Sequence, residues 1–456
     1  MHALSFRARC GAALGYVTLA IGALFLNSCS VKNELLAPQN PSVISPGAIS
    51  TPQAADALRI GAYGVLKTVT GGSESMWLLG GLMTDEWKSS DTFSQRNETD
   101  QRSVELTNSV TSATYQQLQQ ARGHARDAIN ALLAFEPTPV SNIGQMYFAI
   151  GFEELMLAEN YCNGIPVSYM VNGQPVYTNP LTTTDVYNLA LTHFDSALTM
   201  TTGTDANTVS LHQAILIAKA RTLIELGQFS DAAALVPVSV VPTSYQYLLT
   251  FDITTQDNLF YQLNTNRGGY TVGDSVDATG IIANAIPFAS SKDPRLPVTP
   301  NKLGEDGATP LILQSVYGRD DPVPLVSGID ARLTEAEAKL NAQDIAGMMT
   351  ILNALRTSPQ TIGPYKVPVM AALPTPSTQA QAVALFLRES AFWQFGRGFR
   401  LPNLRRMVRL YGYTQDQVFP TGTFFKGGVY GTDVNFPVFN NELTNPNFHG
   451  CLDRKA

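Results

Sequence analysis

Two pairs of adjacent acids, Asp85 with Glu86 and Glu153 with Glu154, are the places where this chain could hold the carboxylates of glycosidic hydrolysis. That chemistry needs two carboxyl groups roughly 5–9.5 Å apart across a cleft. Neighbours on a helix point in different directions, so Glu153 and Glu154 are poor candidates, whereas Asp85 and Glu86 fall in an irregular stretch and stay open. His124, His193, His212 and His449 are isolated, and no His-x-x-x-His or Cys-x-x-Cys spacing occurs, so a zinc site has no support. There is no Gly-x-Ser-x-Gly to present a nucleophile. Gly427 and Gly428 lack the Lys-Ser/Thr of a phosphate loop. Six arginines fall between Arg388 and Arg409. They could hold an anion, but planar guanidinium suits bidentate pairing with Glu335, Glu337 or Glu389, and that reading is preferred. The residues therefore point away from an enzyme and imply no cofactor and no metal.

Binding is better served. Trp77, Trp87, Phe93, Tyr261 and Tyr270 stand in polar stretches, with Asn266 and Arg267 beside the last of them. A flat ring offers its face to the CH-rich side of a sugar while amides and guanidinium meet hydroxyls. These seven are the candidate ligand-binding residues; the alternative for each ring is that it anchors its own loop. Trp393, inside a helical pattern, is core.

The elements that must position them are helical. From 184 to 236, Ala190, Phe194, Ala197 and Leu198 make one small apolar stripe, and Leu211, Ala214, Ile215, Ala218, Leu223 and Leu226 make another. Gly227 stands where a left-handed C-cap is wanted, and Ser230 can cap the next turn. The spacing of Gly227, Phe229 and Ala232 resembles the turn of a tetratricopeptide repeat, which cannot bury its apolar face without neighbouring hairpins. Similar hairpins are expected near 113–161 and 330–356, with further helices at 53–69, 379–395 and from Pro402. Residues 77–102 read as a long irregular excursion, 364–376 as a linker, and 237–324 as a loop-rich region. Loops of that length are usually functional or a small inserted subdomain.

With 456 residues, 44% of them hydrophobic and 15% charged, the chain can bury a large core. Its net charge of −7 offers no general attraction to nucleic acid or anionic lipid. At the amino terminus, Arg7 and Arg9 precede an uncharged run over 11–26, shorter than the roughly 20 residues that span a bilayer. This reads as a secretory signal covering 1–28. Leu26, Asn27, Ser28 and Cys29 resemble the lipobox of bacterial lipoproteins, which makes Cys29 the acylated first residue. Ser30, rather than Asp, favours the outer membrane by the same resemblance. The Pro- and Asn-rich stretch 29–50 is an extended tether, and 51–456 is expected to be one domain.

Four separated pieces together resemble the SusD/RagB family of nutrient-binding outer-membrane lipoproteins. They are the lipobox; Arg332 to Ala338 followed by Leu352 to Arg356; Arg388 and Glu389 followed by the run from Gly398 to Arg406; and Phe436 to Glu442 with Asn445, Pro446 and Asn447. Asn403 stands where that family usually has Asp, and Arg397 where it often has Glu, so the ion pair of the motif is not carried over. The resemblance implies a mostly α fold, tetratricopeptide-like hairpins packed with a loop-rich, partly irregular ligand-binding region. It further implies a non-catalytic protein, lipid-anchored in the outer membrane. Such a protein binds an oligomeric nutrient, usually an oligosaccharide, and passes it to a TonB-dependent, SusC-like transporter. The alternatives are a lipid-anchored hydrolase and a repeat scaffold with no small ligand. With Cys29 acylated and Cys10 removed, Cys162 and Cys451 remain, and in an oxidising compartment a disulfide between them is expected; two free thiols are the alternative.

Overall fold

Thr51 and Pro52 start the first helix as their types dictate. The Thr51 hydroxyl accepts from the Ala54 amide at 3.2 Å, and Pro52 takes the first position of α1 (Pro52–Lys67). The computed structural model describes residues 49–72, 74–171, 174–438 and 440–456. The signal segment, Cys29 and the tether up to residue 48 lie outside the described residues. From Thr51 to Ala456 the chain is one compact unit.

The body is mostly α. After α1 come α2 (Met76–Leu82), α3 (Ser94–Asp100), α4 (Ser109–Phe135), α5 (Val140–Asn160), α6 (Thr183–Thr199), α7 (Ala206–Glu225) and α8 (Phe229–Leu235). Later come α9 (Gly328–Asn341), α10 (Ile345–Thr357), α11 (Gln379–Trp393) and α12 (Arg400–Tyr411). Each helix from α4 to α10 packs on the next, and α1 packs on α4, a run of stacked hairpins.

Close approach in this stack has a visible cause. A Cβ on Gly151 of α5 would lie 2.8 Å from the Phe194 ring and 3.2 Å from the Ala190 carbonyl of α6. A Cβ on Gly144, two turns earlier, would meet Met200, Thr201 and the Ala197 carbonyl at 3.2–3.3 Å. A mid-helix glycine costs roughly 0.5–1 kcal/mol relative to alanine. Here the two glycines form the groove that receives the Ala190, Phe194 and Ala197 stripe. Gly227 turns the chain from α7 to α8 with φ +76°, the left-handed cap its position requires. Ser230, in contrast, lies inside α8 and caps nothing, because the helix begins at Phe229.

The expected irregular excursion over 77–102 is instead ordered as α2, a strand β1 (Trp87–Ser89) and α3. Helix α2 is buried on every side, so it shows no amphipathic period. The partner of β1 is β5 (Tyr270–Val272), far along the chain, with Trp87 opposite Val272 and Ser89 opposite Tyr270. The loop-rich region carries short antiparallel pairs: β6 (Val276–Asp277) with β7 (Gly280–Ile281), and β8 (Val298–Leu303) with β9 (Pro310–Gln314). Its β4 (Gln246–Leu249) pairs with β10 (Val323–Ser327), returning the chain to α9. A hairpin, β2 (Tyr169–Val171) and β3 (Gln174–Val176), stands between α5 and α6.

Candidate ligand-binding face

The seven candidate residues separate by burial. Trp77, Trp87 and Tyr270 are fully buried, which corrects the expectation that their rings face a ligand. Trp87 packs its ring 4.9 Å from Phe395, 6.2 Å from Phe260 and 6.4 Å from Tyr270. Trp77 lies beneath Gly398, whose positive φ and missing side chain let the backbone pass over the indole. These rings take the alternative role, anchoring their segments to the helical body. Phe93 is 46% exposed, Asn266 and Arg267 are exposed, and Tyr261 is half-buried.

Four loops meet around Phe93. The Ser90 amide donates to the Gly269 carbonyl at 3.1 Å, and the Ser90 hydroxyl donates to the Gly268 carbonyl at 2.8 Å. The Glu305 amide donates to Gly268 and the Asp306 amide to Ser90, both at 3.0 Å. Lys426 reaches the Asp91 carbonyl at 2.5 Å and pairs with Asp306 at 2.8 Å. That pairing, with amide donors from 308 and 309, holds the Asp306 carboxyl well below its usual range. A Cβ on Gly269 would touch the Asp91, Glu305 and Arg96 side chains at 3.2–3.3 Å, so any larger residue would press on these charged groups.

Arg96 is the hub, a residue the sequence reading passed over. Its Nε and Nη2 donate to Glu74 at 2.7 and 2.8 Å, Nη1 pairs with Asp91, and its plane lies 5.5 Å from the Tyr270 ring and 5.6 Å from that of Phe93. The Tyr270 hydroxyl donates to Glu74 at 2.5 Å. Phe93 thus stands on a locked polar base rather than a mobile loop. Arg267 meets Glu305 at 3.3 Å in solvent, and Asn266 donates to Gln262 at 3.0 Å at the end of a π-helical turn (Tyr261–Asn266). The only signal for Arg96 was its place three residues after Phe93.

The acids of the first reading are structural in their contacts. Arg400 engages both oxygens of Asp85. Glu86 accepts from the Gly396 amide at 3.1 Å, and burial pushes its carboxyl up to about 8. Glu154 takes Arg122 at 3.0 Å and His193 at 2.6 Å. Burial also pushes the Glu153 carboxyl well up. Among the described residues no group of His, Cys, Asp and Glu could hold a metal, and no helix is long and apolar enough to cross a membrane.

Of the six arginines, Arg397, Arg400, Arg405 and Arg406 are buried and Arg409 half-buried, all five bonded to acids or carbonyls, while Arg388 is exposed and lies over the Phe392 ring. Arg406 meets Glu337 at 2.8 Å and also Glu225, which in turn takes Arg409. Arg405 donates to the Ala158 carbonyl at 3.1 Å and to Glu159 at 2.5 Å at the carboxyl end of α5. Arg397 pairs with Asp330 at 2.7 Å. Glu389 goes to Arg295 and Arg356, and Glu335 to Arg332. Cys162 and Cys451 are bonded, with Cα atoms 6.0 Å apart.

No family model and no curated protein matches the sequence. Solved structures do. Surface glycan-binding protein A from Bacteroides uniformis superposes with a TM-score of 0.63 at 12% identity, covering 88% of this chain and 99% of its own. A SusD/RagB family protein from Bacteroides thetaiotaomicron gives 0.61 at 13% identity, covering 86% and 94%. A SusD-like carbohydrate-binding protein from Bacteroides vulgatus gives 0.60 at 14% identity, covering 88% and 98%. The chain has the SusD-like fold.

Proposed function

We propose that this SusD-like chain is a non-catalytic glycan-binding lipoprotein of the outer membrane, acylated at Cys29, that hands its ligand to a TonB-dependent transporter. The observation that carries the reading is the fold, shared over 88% of the chain with a structure described as a carbohydrate-binding protein. The locked loop assembly around Phe93 supports it. An exposed ring on a rigid base, with Arg267 exposed on the loop whose Gly268 and Gly269 carbonyls bind Ser90, offers stacking and hydrogen-bonding groups at little ordering cost. Binding followed by transfer breaks no bond, in keeping with acids that are committed to arginines or buried.

Affinity electrophoresis through gels containing starch, xylan, pectin or β-glucan tests the binding. Retardation by at least one polymer, with no new reducing ends released, is expected. Migration unaltered by every polymer, or release of reducing ends, rejects the reading. Cys29→Ser should move the protein from the membrane fraction to the soluble one, and co-purification with a barrel transporter should depend on neither Phe93 nor Tyr261.

A further inference from the structure

We propose that the cleft between α4 and the β2–β3 hairpin is a second binding site, for a small ligand carrying one carboxylate. The inference goes beyond the glycan reading of the Phe93 face and does not depend on it.

The cleft encloses about 350 Å³, within the size range of small-molecule sites. Gly123, in the middle of the 27-residue helix α4, forms part of its lining. A Cβ there would meet nothing within 4 Å, so the missing side chain serves no packing contact and leaves the space open. Opposite stand Ser168, Tyr169 and Met170 of the hairpin, with Met170 56% exposed.

Two arginines one turn apart line this cleft, and they are not equivalent. Arg122 is buried and spent: Nε and Nη2 donate to Glu154, and Nη1 donates to Gln119 at 2.8 Å. Arg126 is half-buried and lies 4.3 Å from the centre of the Tyr169 ring. Among the described residues no carboxylate pairs with it. Stacking on the tyrosine holds the guanidinium plane while its N–H fork stays available at the cleft. A held planar fork matches a carboxylate bidentately, and less rotamer freedom is lost on binding than a free side chain would lose. Gln120 supplies an exposed amide for hydroxyl or peptide groups, and Met170 an apolar wall. Asp127 at the rim opposes a second negative charge, which limits the ligand to one carboxylate near Arg126.

Isothermal titration of the full chain tests this with two matched pairs: galacturonic acid against galactose, and acetyl-dialanine against its amide. At least one acid should bind ten-fold or more tightly than its neutral partner, and the pair that does so identifies a saccharide or a peptide source. Arg126→Gln should weaken that acid at least ten-fold. Gly123→Leu should abolish binding by filling the cleft while leaving the melting temperature equal or higher, since leucine favours a helix over glycine. Equal binding of acid and neutral partner overturns the proposal. So does no binding of either acid, or an affinity unchanged in both variants. Loss of binding in Phe93→Ala with none in Arg126→Gln would place the ligand on the loop face and overturn it as well.

Discussion

Arg400 lays Nε and Nη2 on the two carboxylate oxygens of Asp85, at 2.6 and 2.8 Å, with both side chains buried. The Asp85 carboxylate also accepts from the Ile286 amide at 2.7 Å. One acid therefore ties the last long helix, the turn before β1 and the loop-rich region together. Removing one partner leaves the other charged, buried and alone, which costs about 3–5 kcal/mol. Asp85→Ala should lower unfolding free energy by that amount in urea titration. Asp85→Asn, which keeps an oxygen acceptor and the shape, should lose less.

The same pair shows what the sequence could disclose. The helical periods at 113–135 and 332–356 locate real helices, because each presents a stripe to a neighbour, and the helix expected over 142–161 is real as well, although it is buried all round from Phe148 to Asn160. Glu337 was correctly marked as an arginine partner, since it lies on the apolar face of α9. Glu225 and Asp330 were not, because nothing local says that α7 turns Glu225 toward α12 and α9 turns Asp330 toward Arg397. Asn403 was noted as a missing carboxylate. In the fold its side-chain oxygen accepts from Arg406 at 2.8 Å, while the charges come from Glu337 and Glu225 on other helices. Burial at the candidate face was half legible. Exposure of Phe93, Asn266 and Arg267 follows from polar surroundings. Burial of Trp87 and Tyr270 follows from a strand pairing across about 180 positions that no short window contains.

Glu86 gives a pH signature. Its carboxyl is fully buried, and the Oε2 atom has no hydrogen-bond partner among the described residues, so it is suited to carry a proton. Desolvation raises its pKa from 4.5 to about 8, against the lowering effects of the Gly396 amide and Arg400. Below pH 4.5 the acid is protonated both folded and unfolded, so its contribution is at its most favourable there. As pH rises toward 8 the unfolded chain releases this proton while the fold retains it, and stability falls. Asp100, raised to about 7 by burial, acts in the same sense. Unfolding free energy measured at pH 5, 6.5 and 8 should therefore drop more steeply for the natural chain than for Glu86→Gln. Parallel pH profiles for the two proteins would show that Glu86 is ionised in the fold.

Trp87 and Phe93, six residues apart, should respond oppositely to alanine. Trp87 is enclosed by Phe260, Tyr270 and Phe395, so Trp87→Ala should cost about 3–5 kcal/mol. Phe93→Ala removes a half-exposed ring whose neighbour Arg96 keeps both carboxylate partners, so stability should change by less than about 1 kcal/mol. Glycan affinity should then fall at least ten-fold in Phe93→Ala. In a comparison of melting temperature with affinity, a Phe93 variant that melts early and binds normally would remove that ring from the ligand face.

The bond between Cys162 and Cys451 closes a separation of 289 residues and fixes the tail where α5 ends. Backbone bonds continue the join: the Cys162 amide donates to the Phe436 carbonyl and the Leu452 amide to Asn163, both at 2.8 Å. The long loop restricts the unfolded chain heavily, and on the chain-entropy account its loss costs about 6 kcal/mol at most. Replacing both cysteines by serine should produce that drop in urea unfolding. The strands and helices of residues 51–430 should remain by circular dichroism, since the helices pack chiefly on one another, even though Phe436 also packs on Tyr161. Reductant should reproduce the drop in the natural chain and leave the double variant unchanged. A natural chain that titrates with two free thiols when denatured without reductant would mean that the backbone join alone holds the tail, and the double variant should then unfold at the same urea concentration as the natural chain.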